Sequence, residues 1–145
     1  MSTEKGFKVL EHTADEYIMA YGTSLAEAFE SAALAMFEVM TDTETVKPKE
    51  KENIEVKAED EKSLLYAWLE ELLIKFDAEG KLYSKFDVHR ISRVGEGFFL
   101  EAEIWGETYD PDRHQSRTSV KAITYYRMEI LKEEKRIKVK FILDI

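Results

Sequence analysis

The chain contains no cysteine. That excludes a disulfide framework, a thiolate zinc centre, an iron–sulfur cluster and a cysteine nucleophile. Proline is scarce: Pro48 and Pro111 are the two present, each in a polar stretch. No Gly-, Ser- or Pro-rich linker and no internal repeat interrupts the 145 residues, so a single domain over residues 1–145 is expected. No apolar run approaches the roughly 18 residues of a membrane span. Residues 1–6 are too short and polar for a signal peptide, so a cytoplasmic protein without membrane attachment is expected. Neither GxGxxG nor GxxxxGK[ST] occurs, so no phosphate-cradling glycine loop is encoded. A chain of this length buries roughly 68–70% of its unfolded surface and needs no metal to fold.

What is present is a globular composition with an acidic balance. Hydrophobic residues make up 44% and aromatics 12%, which excludes intrinsic disorder. Thirty Asp and Glu against 21 Lys and Arg give a net charge of -9. Such a chain repels a phosphate backbone, so stable direct binding of nucleic acid is not expected. A basic protein partner or a bound cation fits the charge better.

The hydrophobic pattern places the elements. Residues 7–11 and 17–21 read as short strands around the turn His12-Thr13-Ala14-Asp15. Ser24 with Glu27 fits a capping box opening a helix. Leu25, Phe29, Ala32, Met36 and Val39 then form its apolar stripe. Residues 53–59 alternate as a half-buried strand. Asp60 caps a second helix, with Leu64, Leu65, Trp68, Leu72, Leu73 and Phe76 on its buried face and Gly80 as its stop. Residues 82–94 and 97–105 form a hairpin turned at Val94-Gly95-Glu96-Gly97. Residues 120–131 and 137–145 form another. The reading is an α+β domain, with a mostly antiparallel or mixed β-sheet and two main helices packed on one face.

Three polar clusters could carry chemistry. In Glu11-His12-Thr13-Ala14-Asp15, His12 and Asp15 could bind a metal or act as acid and base. The alternative is a turn whose Thr and Asp side chains bond their own backbone. The segment 106–114 holds Asp110, Asp112, Arg113 and His114 within five residues. It could supply oxygen ligands to a hard cation or a basic pair to an anion, or be a solvated loop with internal salt bridges. From 108 to 121 the three bases Arg113, Arg117 and Lys121 face two acids, Asp110 and Asp112, against the overall acidity. The third cluster is the terminus, Ile142-Leu143-Asp144-Ile145. Paired in a sheet, it would set the α-carboxylate of Ile145 beside Asp144, a repulsion that a cation relieves; frayed, both groups would be in water. His89 has no companion in the sequence and reads as structural or exposed. Ser116 and Ser119 near His114 lack the glycines of a nucleophile elbow.

These landmarks together resemble the archease family over essentially the whole chain. They are Glu11-His12-Thr13-Ala14-Asp15, Gly106-Glu107 with Asp110 and Arg113-His114, then Val120-Lys121-Ala122-Ile123-Thr124-Tyr125, and Leu143-Asp144-Ile145. One departure is Tyr126, where the family usually has His. The resemblance implies a protein cofactor rather than an enzyme. Its partner would be the GTP-dependent RtcB-type RNA ligase of tRNA splicing, whose guanylylation and multiple turnover it promotes. By position, the implied metal site uses Asp15, Asp144 and Ile145. Its oxygen-only donors suit Ca²⁺ or Mg²⁺ over Zn²⁺. His12, Asp110, Arg113, His114 and Lys121 are the implied partner-engaging residues. Two alternatives stand beside this reading. One is a small metal-dependent phosphoester hydrolase using Asp15, Asp144 and His114; the other is a chaperone of an RNA-modifying enzyme.

Overall fold

The computed structural model describes residues 4–12 and 15–145, without the side chains of residues 11 and 12. His12 as a site residue therefore lies outside the described side chains. Strands β1 (Gly6–His12) and β2 (Asp15–Gly22) lead into helix α1 (Leu25–Met40). A 3-10 turn (Thr43–Thr45) precedes β3 (Glu50–Ala58) and helix α2 (Glu61–Glu79). Strands β4 (Lys81–Val94), β5 (Gly97–Thr108), β6 (Ala122–Lys132) and β7 (Ile137–Asp144) complete the chain.

The strands form two sheets rather than the one that the sequence pattern suggests. One has the order β1-β2-β7-β6, the other β3-β5-β4, and every pairing is antiparallel. The pattern shows which strands are amphipathic but not where one sheet ends and the next begins. Both helices span the division: α1 packs against β2 and β4, α2 against β6 and β3. The core lies between them, with Phe29, Met36, Phe37, Trp68, Leu72 and Phe141 fully buried. Trp68 Nε1 donates to Phe29 O at 3.0 Å, which satisfies its one polar atom and ties the two helices.

Local signals act much as expected, with one exception. Asp60 and Ser63 form a reciprocal capping box for α2, and Gly80 ends it in the left-handed region at φ 68°. At α1, Ser24 Oγ accepts from Glu27 N at 3.1 Å. The Glu27 carboxylate, however, reaches Thr23 N and Oγ1 rather than Ser24 N. The β4–β5 hairpin turns at Gly95, whose φ of 62° a two-residue turn requires at that position. Gly106 is required by close approach: a Cβ there would lie 1.8 Å from Leu82 O.

Candidate functional site

The C-terminal strand decides the site. β7 lies between β2 and β6 in the interior of its sheet, and Val139, Phe141 and Leu143 are fully buried. The terminus is therefore ordered, and Ile145 packs against the core. A hydrophobic strand end locked on both sides holds the residues after it in place, which a fraying terminus could not do.

Register then gathers charged groups from three distant stretches of sequence. Asp15 on β2 is the direct partner of Asp144 on β7. On the other flank Ala122 pairs with Asp144, and Lys121 N donates to Asp144 O at 2.7 Å. Side chains alternate along a strand, so with Leu143 in the core Asp144 faces outward. Asp15, Asp144 and Lys121 are all exposed, and among the described residues none of their charged groups has an ion-pair partner. Two carboxylates directly opposite on neighbouring strands repel each other. With the α-carboxylate of Ile145 one residue on, the donors are all oxygens and stand at a solvated sheet end where water can complete a shell. That chemistry fits a hard divalent cation such as Ca²⁺ or Mg²⁺.

Asp110, Arg113 and His114 belong to a different cluster, organised by Glu107 at the end of β5. Glu107 is buried, and Arg113 Nη2 donates to its Oε1 at 2.7 Å. Its Oε2 accepts from Lys47 N and meets His114 Nε2, each at 2.8 Å. The Arg113 hydrogen bond is the main cause holding the Glu107 carboxyl at about 2, against the opposing effect of burial. His114 Nδ1 accepts from Asp110 N at 2.8 Å, so Nε2 carries the proton given to Glu107. Asp110 builds the turn: its Oδ1 accepts from Asp112 N, and its carbonyl from Arg113 N and His114 N. Arg113 Nη1 donates to Thr45 O, fixing the loop on the 3-10 turn.

The cluster is thus a knot with a buried centre, Glu107 and His114, and an exposed edge at Arg113. His114 is 3% exposed with both ring nitrogens engaged, so it offers no face to a partner or to an attacking water. This removes the histidine that the hydrolase alternative requires. The role left to His114 is positional, while Arg113 pins the loop to Glu107 and Thr45 and keeps an exposed edge. From the knot, the chain crosses the end of α1, where Arg117 N and Thr118 N donate to Met40 O and Val39 O. It then delivers Lys121 to Asp144.

Glu107 is the residue whose role spacing did not reveal. A carboxylate closing the apolar run Ile104-Trp105-Gly106, followed by Arg113-His114, is the signal that could have exposed it. Tyr126 stands 73% exposed at a bulge in β6. Next to it, Tyr125 stacks on Tyr66 of α2 with ring centroids 4.3 Å apart.

Comparison with known proteins agrees with the landmarks. The model of the archease protein family matches residues 7–145. "Protein archease" of Methanothermobacter thermautotrophicus is 48% identical over 141 residues, covering 97% of this chain and 99% of that protein. "Protein archease" of Sulfurisphaera tokodaii is 46% identical over 139 residues, covering 96% and 98%. The solution structure of Methanobacterium thermoautotrophicum protein 1598 superposes with a TM-score of 0.85 at 47% identity, covering 97% of this chain and 99% of that one. The crystal structure of a Thermotoga maritima archease, described as a possible chaperone, has a TM-score of 0.58 at 19% identity and bears on the fold alone. A match over nearly the full length, by family model, by sequence and by structure, means that this chain belongs to the archease family.

Proposed function

We propose that this protein activates an RtcB-type RNA ligase, promoting its guanylylation and repeated turnover in tRNA splicing. The observation that carries the reading is the convergence of Asp15, Asp144 and Lys121, exposed and without ion partners among the described residues, at one end of a sheet. Two unpaired carboxylates held side by side, with the Lys121 backbone tied to the same strand end, suit recognition of a charged partner better than they suit stability. Family membership supplies the partner class.

Asp15, Asp144 and the Ile145 carboxylate would hold a hard cation, which when bound supplies positive charge and exchangeable oxygen sites at the contact. Lys121, anchored through its own N–H to Asp144 O, presents an ammonium toward a phosphate or carboxylate of the partner. The knot around Glu107 sets the path of residues 115–120 and so the direction of approach of Lys121. The net charge of -9 steers the protein to the basic mouth of an RNA-handling enzyme.

The test is to recover the partner from cell extract on immobilised protein and then measure its guanylylation with and without added protein. Recovery of a ligase whose guanylylation quickens supports the reading. Recovery of many unrelated clients, protected equally by Asp15→Ala and wild type, supports a general chaperone instead.

A further inference from the structure

The outward face of the three-stranded sheet carries a second group of potential ligands, far in sequence from the C-terminal corner. His89 is not alone, as its sequence neighbours suggest. Asp87 and His89 lie on β4, and Asp87 is the direct register partner of Glu103 on β5. The ladder shifts between Val88 and Arg90, which brings His89 alongside. His89 Nε2 is 3.2 Å from Glu103 Oε1, and Nδ1 is 3.6 Å from Asp87 Oδ2. One donor atom from each of the three lies within 4.8 Å of the other two. The group borders an open concavity of about 430 Å³ whose rim includes Asn53, Glu55 and Glu101.

We infer that Asp87, His89 and Glu103 form a binding site for a late first-row divalent cation of the zinc class. Three arguments converge. First, two carboxylates placed directly opposite each other across β4 and β5 repel, and a bridging cation reverses the sign of that contact. Second, donors bound at about 2.0–2.1 Å around a tetrahedral ion stand roughly 3.3 Å apart. One donor atom from each residue already lies within 4.8 Å of the other two, so rotation of these surface side chains about their χ angles would bring a single His89 nitrogen and both carboxylates to that spacing. Third, one imidazole with two carboxylates is a mixed nitrogen and oxygen set, which suits Zn²⁺ and its neighbours over Mg²⁺ or Ca²⁺. Three protein ligands leave a fourth position open to water or to a group from a partner.

Lys51 is the competitor: its ammonium lies 3.1 Å from Glu103 and neutralises part of the site. Glu101 is held separately by Arg90 at 3.0 Å. The core side of both strands is occupied by Phe86, Val88, Ala102 and Ile104, so substitutions on this face leave the fold intact.

The test is calorimetric titration of the full chain with Zn²⁺ in a non-chelating buffer holding excess Ca²⁺, which keeps the all-oxygen corner occupied. The inference expects one saturable Zn²⁺ per chain and a shift of the His89 ring resonances in the NMR spectrum. Affinity falls at least about tenfold in His89→Ala and in Glu103→Gln. It rises in Lys51→Met and is unchanged in Asp144→Ala. Thermal melting of each variant without metal confirms folding. Absence of saturable binding overturns the inference. So does retention of Zn²⁺ by His89→Ala, or its loss in Asp144→Ala or His12→Ala instead. None of these outcomes bears on ligase activation, so the two readings fail separately.

Discussion

Replacing Glu107 by glutamine tests the internal organisation of the loop that carries Lys121. The change keeps the shape and removes the charge. A glutamine offers one acceptor where the carboxylate offers two, so its NH₂ must face either the Arg113 guanidinium or the Lys47 and His114 N–H groups. The carboxyl sits at about 2 rather than the ordinary 4.5. At 1.36 kcal/mol per pH unit the interval corresponds to about 3 kcal/mol of folding stability. At roughly 2–4 °C per kcal/mol for a domain near this size, Tm falls by about 6–12 °C at neutral pH. The folded carboxyl is depressed, so this stability is complete above the unfolded value near 4.5. It is lost as pH falls through about 2. Urea unfolding of wild type and Glu107→Gln across this range is the assay. The two differ by about 3 kcal/mol at pH 7 and converge toward pH 2. Equal stability at pH 7, or a gap that does not change with acid, would mean that the Glu107 charge does not stabilise the fold.

Three further outcomes are expected. Gly106→Ala forces a Cβ into the Leu82 carbonyl, and it destabilises by about 1–3 kcal/mol by denaturant unfolding with no loss of a polar contact. Tyr83→Phe removes the hydroxyl that donates to Glu52 Oε2. Because Lys75 still neutralises that carboxylate, the cost is only about 1 kcal/mol in the same assay. Asp144→Asn weakens Ca²⁺ binding at least about tenfold by calorimetry and leaves Tm within a few degrees, since the side chain is exposed and outside the core.

The elements, and the caps other than the Glu27 half of the Ser24 box, were legible in the sequence because each rests on local chemistry. Asp60, Gly80 and Gly95 act within a few residues, and the apolar stripe of α2 needs only the helical period. The division into two sheets was not legible, because alternation in β3 to β7 is the same whichever strand lies next door. The order of the C-terminus was left open by sequence for the same reason: Asp144 meets Asp15 only because β7 inserts between β2 and β6. Spacing gathered Asp110, Arg113 and His114 correctly as a cluster. It could not show that Glu107 draws His114 inward, since burial depends on where the 3-10 turn packs. His89 looked solitary because Glu103 reaches it through strand register alone.

In the proposed function, the corner formed by Asp15, Asp144 and Lys121 activates a ligase. Single-turnover guanylylation of an RtcB-type RNA ligase, with wild type, Asp144→Ala and Lys121→Ala each confirmed folded, tests it most directly. Wild type is expected to accelerate the step, and each variant to lose at least about tenfold of that gain, equivalent to about 1.4 kcal/mol or more. Variants that accelerate guanylylation as wild type does would contradict it.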